Sequence, residues 1–407
     1  MSDHKFSRMF VLTLAPLVAF ALMATSGARA QANVIYSFGA SAGDGATPYT
    51  TFLVADPAGN LYGTTEEILS GVVGTVFELS LGVTGAWSEQ IIHTFASDGS
   101  EGSSVQSSLV RDSAGNLYGV AGFGGSDNYG TVFELSPSGG SWILSVIHNF
   151  TGGGIDGTDP TGGLILDASG NLYGVTLNGG AHGYGAVFEM HHAGGAWTER
   201  VLFSFNDADG WNPNGPLLMD SAGNLYGTTY NGGLHSEGVA FELLRSGGWA
   251  EKVLHNFANL PADGKNPNGS LVMLSGNLYG TTISGGTFDG GTVFQLVPHA
   301  GGGWVESLIH SFTTTGSDGE NPRAGLTVVG SSLYGTTASG GSSFDGTVFG
   351  LTQSGGTWTE NFLINMTDAD GGAGYPSGGL LLYTDGNLYG TAQGGVNGVG
   401  SVYEASL

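Results

Sequence analysis

The 407-residue sequence has no cysteine, only nine lysines and arginines, and beyond its N-terminal segment no apolar run long enough to cross a bilayer. The first absence excludes disulfides, thiolate catalysis and cysteine-ligated metal, so stability must come from packing. The second excludes nucleic acid as a partner. Thirty-four acidic residues set the net charge at −25, and such a surface repels phosphate backbones and anionic membranes. The third excludes membrane insertion once the N-terminal segment is removed. Two chemical signatures are missing as well: there is no phosphate-binding loop and no H-x-x-x-H pair of metal ligands.

What is abundant is glycine, 76 residues of it, without the every-third-residue period of collagen. Short runs of Val, Ile, Leu, Phe and Tyr recur between the glycines, as in an all-β protein built from hairpins. The phrase GNLYGTT, followed by GTVFEL, returns seven times. Its tyrosines are Tyr62, Tyr118, Tyr173, Tyr226, Tyr279, Tyr334 and Tyr389, spaced 53 to 56 residues apart. That period marks a repeat architecture. In one copy, Ser108–Asp112 reads as a strand and Ser113-Ala114-Gly115 as a tight turn. Asn116–Gly119 opens a second strand, and Gly124-Gly125 lies in a loop. Gly130–Leu135 is a third strand, and a fourth runs from Trp142 to Phe150. Four antiparallel strands per repeat make one propeller blade.

The two ends of the repeat region predict closure. Val34–Phe38 matches a fourth strand with nothing before it, and Ser401–Glu404 matches a third strand with no fourth after it. Together they complete one unit, giving a seven-bladed β-propeller sealed by the N-terminal strand joining the last blade. The Leu109-type strands are then innermost and line the channel. The Gly-Gly loops and the crossovers between blades share one face, and the tight hairpins lie on the other.

Lys5 and Arg8 precede an apolar stretch from Met9 to about Ala24, and Ala28-Arg29-Ala30 supplies small residues for cleavage. Residues 1–30 are read as a secretory signal peptide and 31–407 as a single repeat domain. Cleavage removes Lys5, Arg8, Arg29 and Asp3, leaving six basic and 33 acidic residues, a net charge of −27. Such a chain favours cations, neutral glycans or basic proteins as partners, although the charge alone also serves solubility.

The LYGTT, GG and GTVFEL core resembles the GloVer tandem repeat of bacterial "choice-of-anchor" proteins over essentially the whole region after the signal. The resemblance implies a secreted or surface-displayed bacterial protein with no established catalytic residues to carry over. Some of those proteins end in a sorting tail. Here the chain stops at Leu407, four residues after Tyr403, so release into the periplasm or medium is expected.

Several residues are candidates for a site. Trp211 follows an Asp-Gly pair at a position that varies among the repeats, where an exposed indole could stack on a sugar. Lys265, Glu320 and Arg323 on the next two blades are its expected polar neighbours. An Asp-Gly series (Asp44, Asp98, Asp156, Asp209, Asp263, Asp318, Asp370) could hold calcium, most plausibly at Asp207 with Asp209 and at Asp368 with Asp370. Asp-Gly is also an ordinary turn pair, and that reading is preferred. His93, His148, His255 and His310 share a repeat position with Tyr36, Phe203 and Ile364, which marks packing. The six in-register tryptophans read the same way. Arg111, the one base in an innermost strand, either faces the channel or pairs with an acid.

From the uniform loop lengths a monomeric, non-enzymatic binding or display scaffold is expected, with carbohydrate or protein as its partner and no certain cofactor. The alternatives are a glycan lyase or hydrolase using Asp159, Asp209 or Glu320 at the channel mouth, and a calcium-stabilised envelope component.

Overall fold

The computed structural model describes residues 32–407 except 41–42, 49–51, 69–73, 259, 316–317, 369–371 and 377. The signal segment and Asp370 lie outside the described residues. Seven antiparallel sheets with four strand positions each form the blades, and two short two-stranded pairings, Gly45–Ala46 with Glu67–Ile68 and Gly319–Glu320 with Ser339–Gly340, accompany the first and sixth. In the second blade, from the channel outward, these are Val110–Arg111, Leu117–Ala121, Thr131–Ser138 and Ser141–Asn149. In the fourth and fifth blades the innermost position is split into two short segments, Trp211–Pro213 with Leu218–Met219 and Gly264–Pro267 with Val272–Leu274.

The seventh blade is Leu381–Leu382, Leu388–Ala392, Ser401–Ala405 and then Ala32–Ser37. Ala32 pairs with Ala405 and Ser37 with Ser401, so the first described strand closes the ring on its outside, as expected.

The repeated phrase is explained by packing between blades. The glycine of each LYG has no room for a side chain. A Cβ on Gly119 would lie 2.5 Å from the ring of Phe133, and one on Gly227 would lie 2.6 Å from Phe241. In blades one to six a fully buried third-strand phenylalanine brings the tip of its ring against that glycine, and in the seventh Tyr403 does so. Each of these phenylalanines then receives, edge to face, the phenylalanine that ends the preceding blade. Phe95 packs on Phe133, Phe150 on Phe188, Phe205 on Phe241, Phe257 on Phe294 and Phe312 on Phe349, all with centroids 5.0–5.2 Å apart. Six of the seven LYG tyrosines meet the tryptophan of the next blade, Tyr118 with Trp197 at 5.6 Å for example, while Tyr334 packs against the seventh blade, whose outer strand has none. The hydrophobic clusters therefore span neighbouring blades; one joins Tyr173 and Val187 to Phe205, Leu225 and Phe241.

Two features of the repeat were not read from the sequence. The acid at the end of the innermost strand organises the tight turn. Asp112 accepts the Asn116 backbone N–H through Oδ1 at 2.8 Å and the Tyr118 hydroxyl through Oδ2 at 3.1 Å. Asp56, Asp167 and Asp220 repeat this. The second feature is a clip after each crossover. Thr47, Ser104, Asp159, Asn212, Asn266, Asn321 and Tyr375 all hold left-handed backbone, with φ between 55° and 58°. In most copies the next residue is proline. The left-handed residue donates its N–H to the preceding blade's Gly-Gly loop: Asn212 to Tyr184 O at 3.1 Å, Asn266 to Glu237 O at 2.9 Å. Asn and Asp tolerate this conformation best, which accounts for their prevalence here.

Gly227→Ala is expected to lower stability by about 1–3 kcal/mol, the usual cost of overpacking a rigid core contact. Gly153→Ala, at an exposed site with only Thr151 Oγ1 at 3.7 Å, is the control and should be near neutral. Urea unfolding of both variants checks this; equal midpoints would show that the glycine–phenylalanine contact is not limiting.

Candidate ligand pocket at the channel mouth

Each innermost strand begins with a short segment that turns from the crossover into the channel. Its first position is Gln106, Thr161, Asn214, Asn268 and Arg323 in blades two to six. Two positions later stand Phe52, Ser108, Gly163, Pro216, Ser270, Gly325 and Gly379. Only one of these seven is large. The backbone approaches very closely here: a Cβ on Gly379 would overlap the ring of Phe52, which crosses toward blade seven. Phe52 breaks the ring's symmetry and leaves a cavity of about 370 Å³ on the other side.

That cavity is lined by the five polar residues above, by Phe52 and Pro216, and by Leu177, Tyr230 and Ile283 from the ends of the second strands. The polar positions form a chain around the mouth. Thr161 Oγ1 lies 3.3 Å from Asn214 Oδ1, Asn214 Nδ2 donates to Asn268 Oδ1 at 2.5 Å, and Asn268 Nδ2 donates to the Arg323 carbonyl at 3.0 Å. Gln106 Nε2 donates to Glu66 Oε1. Among the described residues lining the cavity, none is Asp or Glu. A smaller space of about 220 Å³ continues below, bounded by Phe52, Leu164, Leu217 and Leu271. The amide girdle and the single phenylalanine were legible as a register column in the sequence, but only an alignment of the channel segment would have exposed them.

The candidates named from sequence do not gather in one place. Trp211 is 39% exposed and sits edge to face against Tyr184 at 5.5 Å. Lys265 pairs with Asp289 at 2.9 Å. Glu320 is half-buried in the Gly319–Glu320 bridge. Of the four, Arg323 alone lines the cavity. Asp159 accepts Asn178 Nδ2 at 2.7 Å. Asp209 accepts the Asn206 N–H at 2.7 Å, Asp207 is exposed, and Asp368 Oδ1 accepts the Gly395 N–H at 3.3 Å. The Asp-Gly acids mostly bind their own turns: Asp44 accepts Gly39 and Ala40 N–H, and Asp263 accepts Ala258 and Gly264 N–H. Asp98 is out of register. In its crossover, which is the same length as its sisters, Asp98-Gly99 stands three residues too early, and Glu101, before Gly102, takes that position and meets His93 at 2.9 Å. Arg111 lies over the opposite turn, where a Cβ on Gly115 would come within 3.1 Å of its guanidinium.

The architecture is that of a closed β-propeller with a lopsided cavity at one mouth of its channel. The chain belongs to the Gloeobacter/Verrucomicrobia repeat family, whose profile matches residues 20–166, 143–331 and 252–407. No curated protein matches it. Among solved structures it is similar to the extracellular domain of a one-component system protein from B. thetaiotaomicron, with TM-score 0.56 and 13% identity over 91% of this chain. The chain spans 39% of that structure's chain. It is also similar to a chain of the mitotic checkpoint complex, with TM-score 0.56 and 14% identity over 98% of each chain. A protein from Lactobacillus plantarum gives TM-score 0.50 and 14% identity over 83% of this chain and 96% of that one. At these identities the likeness shows the fold. No helix among the described residues is long and apolar enough to cross a membrane.

One junction near this face titrates in an unusual range. The Tyr36 hydroxyl lies 3.0 Å from Glu89 Oε2 and 3.2 Å from Asp44 Oδ2, so one proton faces two carboxyl groups. Burial, and then the charge of Asp44, pushes Glu89 up to about 8. A carboxyl raised on folding stabilises the fold most below its ordinary range, roughly pH 4, and loses that contribution as pH rises through the folded value. Glu89→Gln should therefore match wild type near pH 4 and gain melting temperature over it progressively toward pH 9. A constant offset at all pH values would contradict this assignment.

Proposed function

We propose that the protein is a secreted, non-catalytic binding propeller that takes the terminal sugar of an acidic glycan into its channel-mouth cavity. The observation that carries this reading is the conjunction, in one cavity, of the Phe52 and Tyr230 rings with Thr161, Asn214, Asn268 and Gln106 and with Arg323. Sugars offer apolar C–H faces to aromatic rings and hydroxyl edges that both donate and accept, which side-chain amides can meet. A guanidinium grips a carboxylate through parallel N–H bonds. On a chain of net charge −25, an arginine at the mouth gives a uronic-type sugar a local point of attraction.

A hydrolase would need two carboxyl groups roughly 5–10 Å apart across the bound sugar. The hydrogen bonds that hold Asp159 and Asp209, and the cavity's amide lining, support the binder instead. Export is supported by the N-terminal segment with its Ala28-Arg29-Ala30 site. The extracellular domain from B. thetaiotaomicron shares the architecture.

A glycan array followed by calorimetry tests the proposal. Wild type should bind acidic saccharides, and Arg323→Gln should weaken them at least about tenfold while sparing neutral analogues, a loss near 1.4 kcal/mol. Tyr230→Ala should weaken both, and Trp211→Ala neither. Binding lost only in Trp211→Ala would move the site to the crossover face. Release of shortened glycan during incubation would overturn the non-catalytic reading.

A further inference from the structure

At the outer rim five of the blade junctions bring three sequence positions together at fixed offsets. They are the histidine position of one outermost strand, the crossover residue eight places later, and the residue two after the tryptophan of the next outermost strand. Between blades two and three these are His148, Asp156 and Glu199. Between four and five they are His255, Asp263 and Glu306, and between five and six His310, Asp318 and Glu360. In each triad one donor atom per residue lies within 4.8 Å of the other two.

The other junctions supply a comparison. Where the third position is Leu144, His93 Nε2 makes an ordinary hydrogen bond to Glu101 Oε2 at 2.9 Å. Where it is Glu306, His255 Nε2 keeps a hydrogen bond to Asp263 Oδ1 at 3.1 Å. Where it is Glu199 or Glu360, the histidine stands off. His148 Nε2 is 3.8 Å from Asp156 Oδ1, and His310 Nε2 is 3.6 Å from Asp318 Oδ1 and 3.7 Å from Glu360 Oε2. Among the described residues, His148 Nε2, His310 Nε2, Glu199 Oε1, Glu306 Oε1 and Glu360 Oε1 are shielded from solvent and have no hydrogen-bond partner. Glu89 Oε1 and Glu251 Oε1 are unmet too, at junctions without histidine, so the unmet imidazole nitrogens are what sets the triads apart. Leaving a buried imidazole nitrogen unmet beside two acids is costly, and a single central cation would satisfy it.

The separations fit such a cation. Zinc bonds of about 2.1 Å in a tetrahedron place neighbouring ligands about 3.4 Å apart. The 3.6–3.8 Å at His148 and His310 lies slightly above this, the 3.1 Å at His255 slightly below it, and the 2.9 Å of the His93 pair is shorter than all of them. One imidazole and two carboxylates suit a zinc-type ion with water completing its shell, whereas calcium wants six to eight oxygens. The ligands are also held from behind. Asp156 Oδ2 accepts Thr151 N–H and Oγ1–H, both at 2.7 Å, and Asp318 Oδ2 accepts Thr313 N–H at 2.9 Å. The imidazoles rest edge to face on Phe150, Phe257 and Phe312.

We propose that the His148–Asp156–Glu199, His255–Asp263–Glu306 and His310–Asp318–Glu360 triads each bind one zinc-type divalent ion that staples two neighbouring blades at the rim. Each ion joins the outermost strand of one blade to that of the next through the crossover. These sites are remote in register from the channel cavity, so the fate of the glycan reading does not decide theirs.

The test uses full-length mature protein stripped with a chelator and titrated with Zn²⁺ by calorimetry, with Co²⁺ absorption as a readout of four-coordination. Three equivalents are expected, matching the three triads, with a raised melting temperature and the strong visible bands of tetrahedral cobalt. His148→Phe, His255→Phe and His310→Phe should each remove one equivalent. Phenylalanine is the replacement because Phe203 already fills this position and packs on Phe205. Glu360→Gln, which preserves volume, should weaken only its own site. Absence of saturable zinc binding, or a stoichiometry unchanged in the histidine variants, overturns the proposal.

Discussion

The ring depends on one contact made at successive junctions: a phenylalanine that sets the tip of its ring against a glycine within its own blade and takes the edge of the preceding blade's phenylalanine. Because the glycine leaves space for a ring and nothing else, the third strand can sit at only one height on the second. The next blade is then set by the previous one. Hydrophobic burial is not organised as separate cores but as seams, Phe95 on Phe133 and Phe205 on Phe241, so no blade could be stable alone. Ring closure follows from the same logic. The strand Ala32–Ser37 delivers Phe38 onto Phe77 at 5.0 Å, which supplies the first blade with the neighbour it would otherwise lack.

Much of this was legible because strand pattern and turn glycine carry period-two and positive-φ signals that act locally. The four strands of the Ser108–Phe150 repeat follow from residues near each other in sequence, and the closure by Val34–Phe38 and the packing role of the histidine column follow from laying one copy of the repeat over another. The clip at Asn212, Asn266 and Asn321 was not seen, although Asn-Pro recurs at fixed offset, because its hydrogen bond runs to a loop of the preceding blade. Asp98 misled for a similar reason. Asp-Gly is a turn signal wherever it stands, and only the pairing of His93 with Glu101 shows which carboxylate occupies the structural slot.

The site was harder still, since a repeat hides asymmetry. Loop lengths are nearly constant, and this pointed to a uniform face. Asymmetry enters through side-chain size instead. Phe52 stands where the sister blades carry Ser, Gly or Pro, and its bulk pushes the free volume of the channel toward Tyr230, Ile283 and Arg323. A change of one residue in one blade thus converts a symmetric pore into a pocket with a wall, a floor and one charge.

Rim and channel show opposite uses of the same repetition. At the channel, function gains from breaking the sevenfold pattern, because a small ligand needs unlike groups around it. At the rim, function gains from keeping it. The slot filled by Tyr36, His148 or Phe203 is packed on the phenylalanine two residues later in six of the seven copies, with Ile364 and Met366 in the other, so its outer edge can vary without disturbing the seam. Tyrosine there leaves a proton facing two carboxyl groups, histidine with one acid leaves a hydrogen bond, and histidine with two acids leaves donor atoms set apart at metal-like spacing at His148 and His310 and a hydrogen bond beside a second acid at His255. These are three chemical answers to one problem, how to hold acidic crossovers against neighbouring blades on a chain whose charge is overwhelmingly negative. A cation is the strongest of them, because it turns the repulsion between Asp318 and Glu360 into shared coordination.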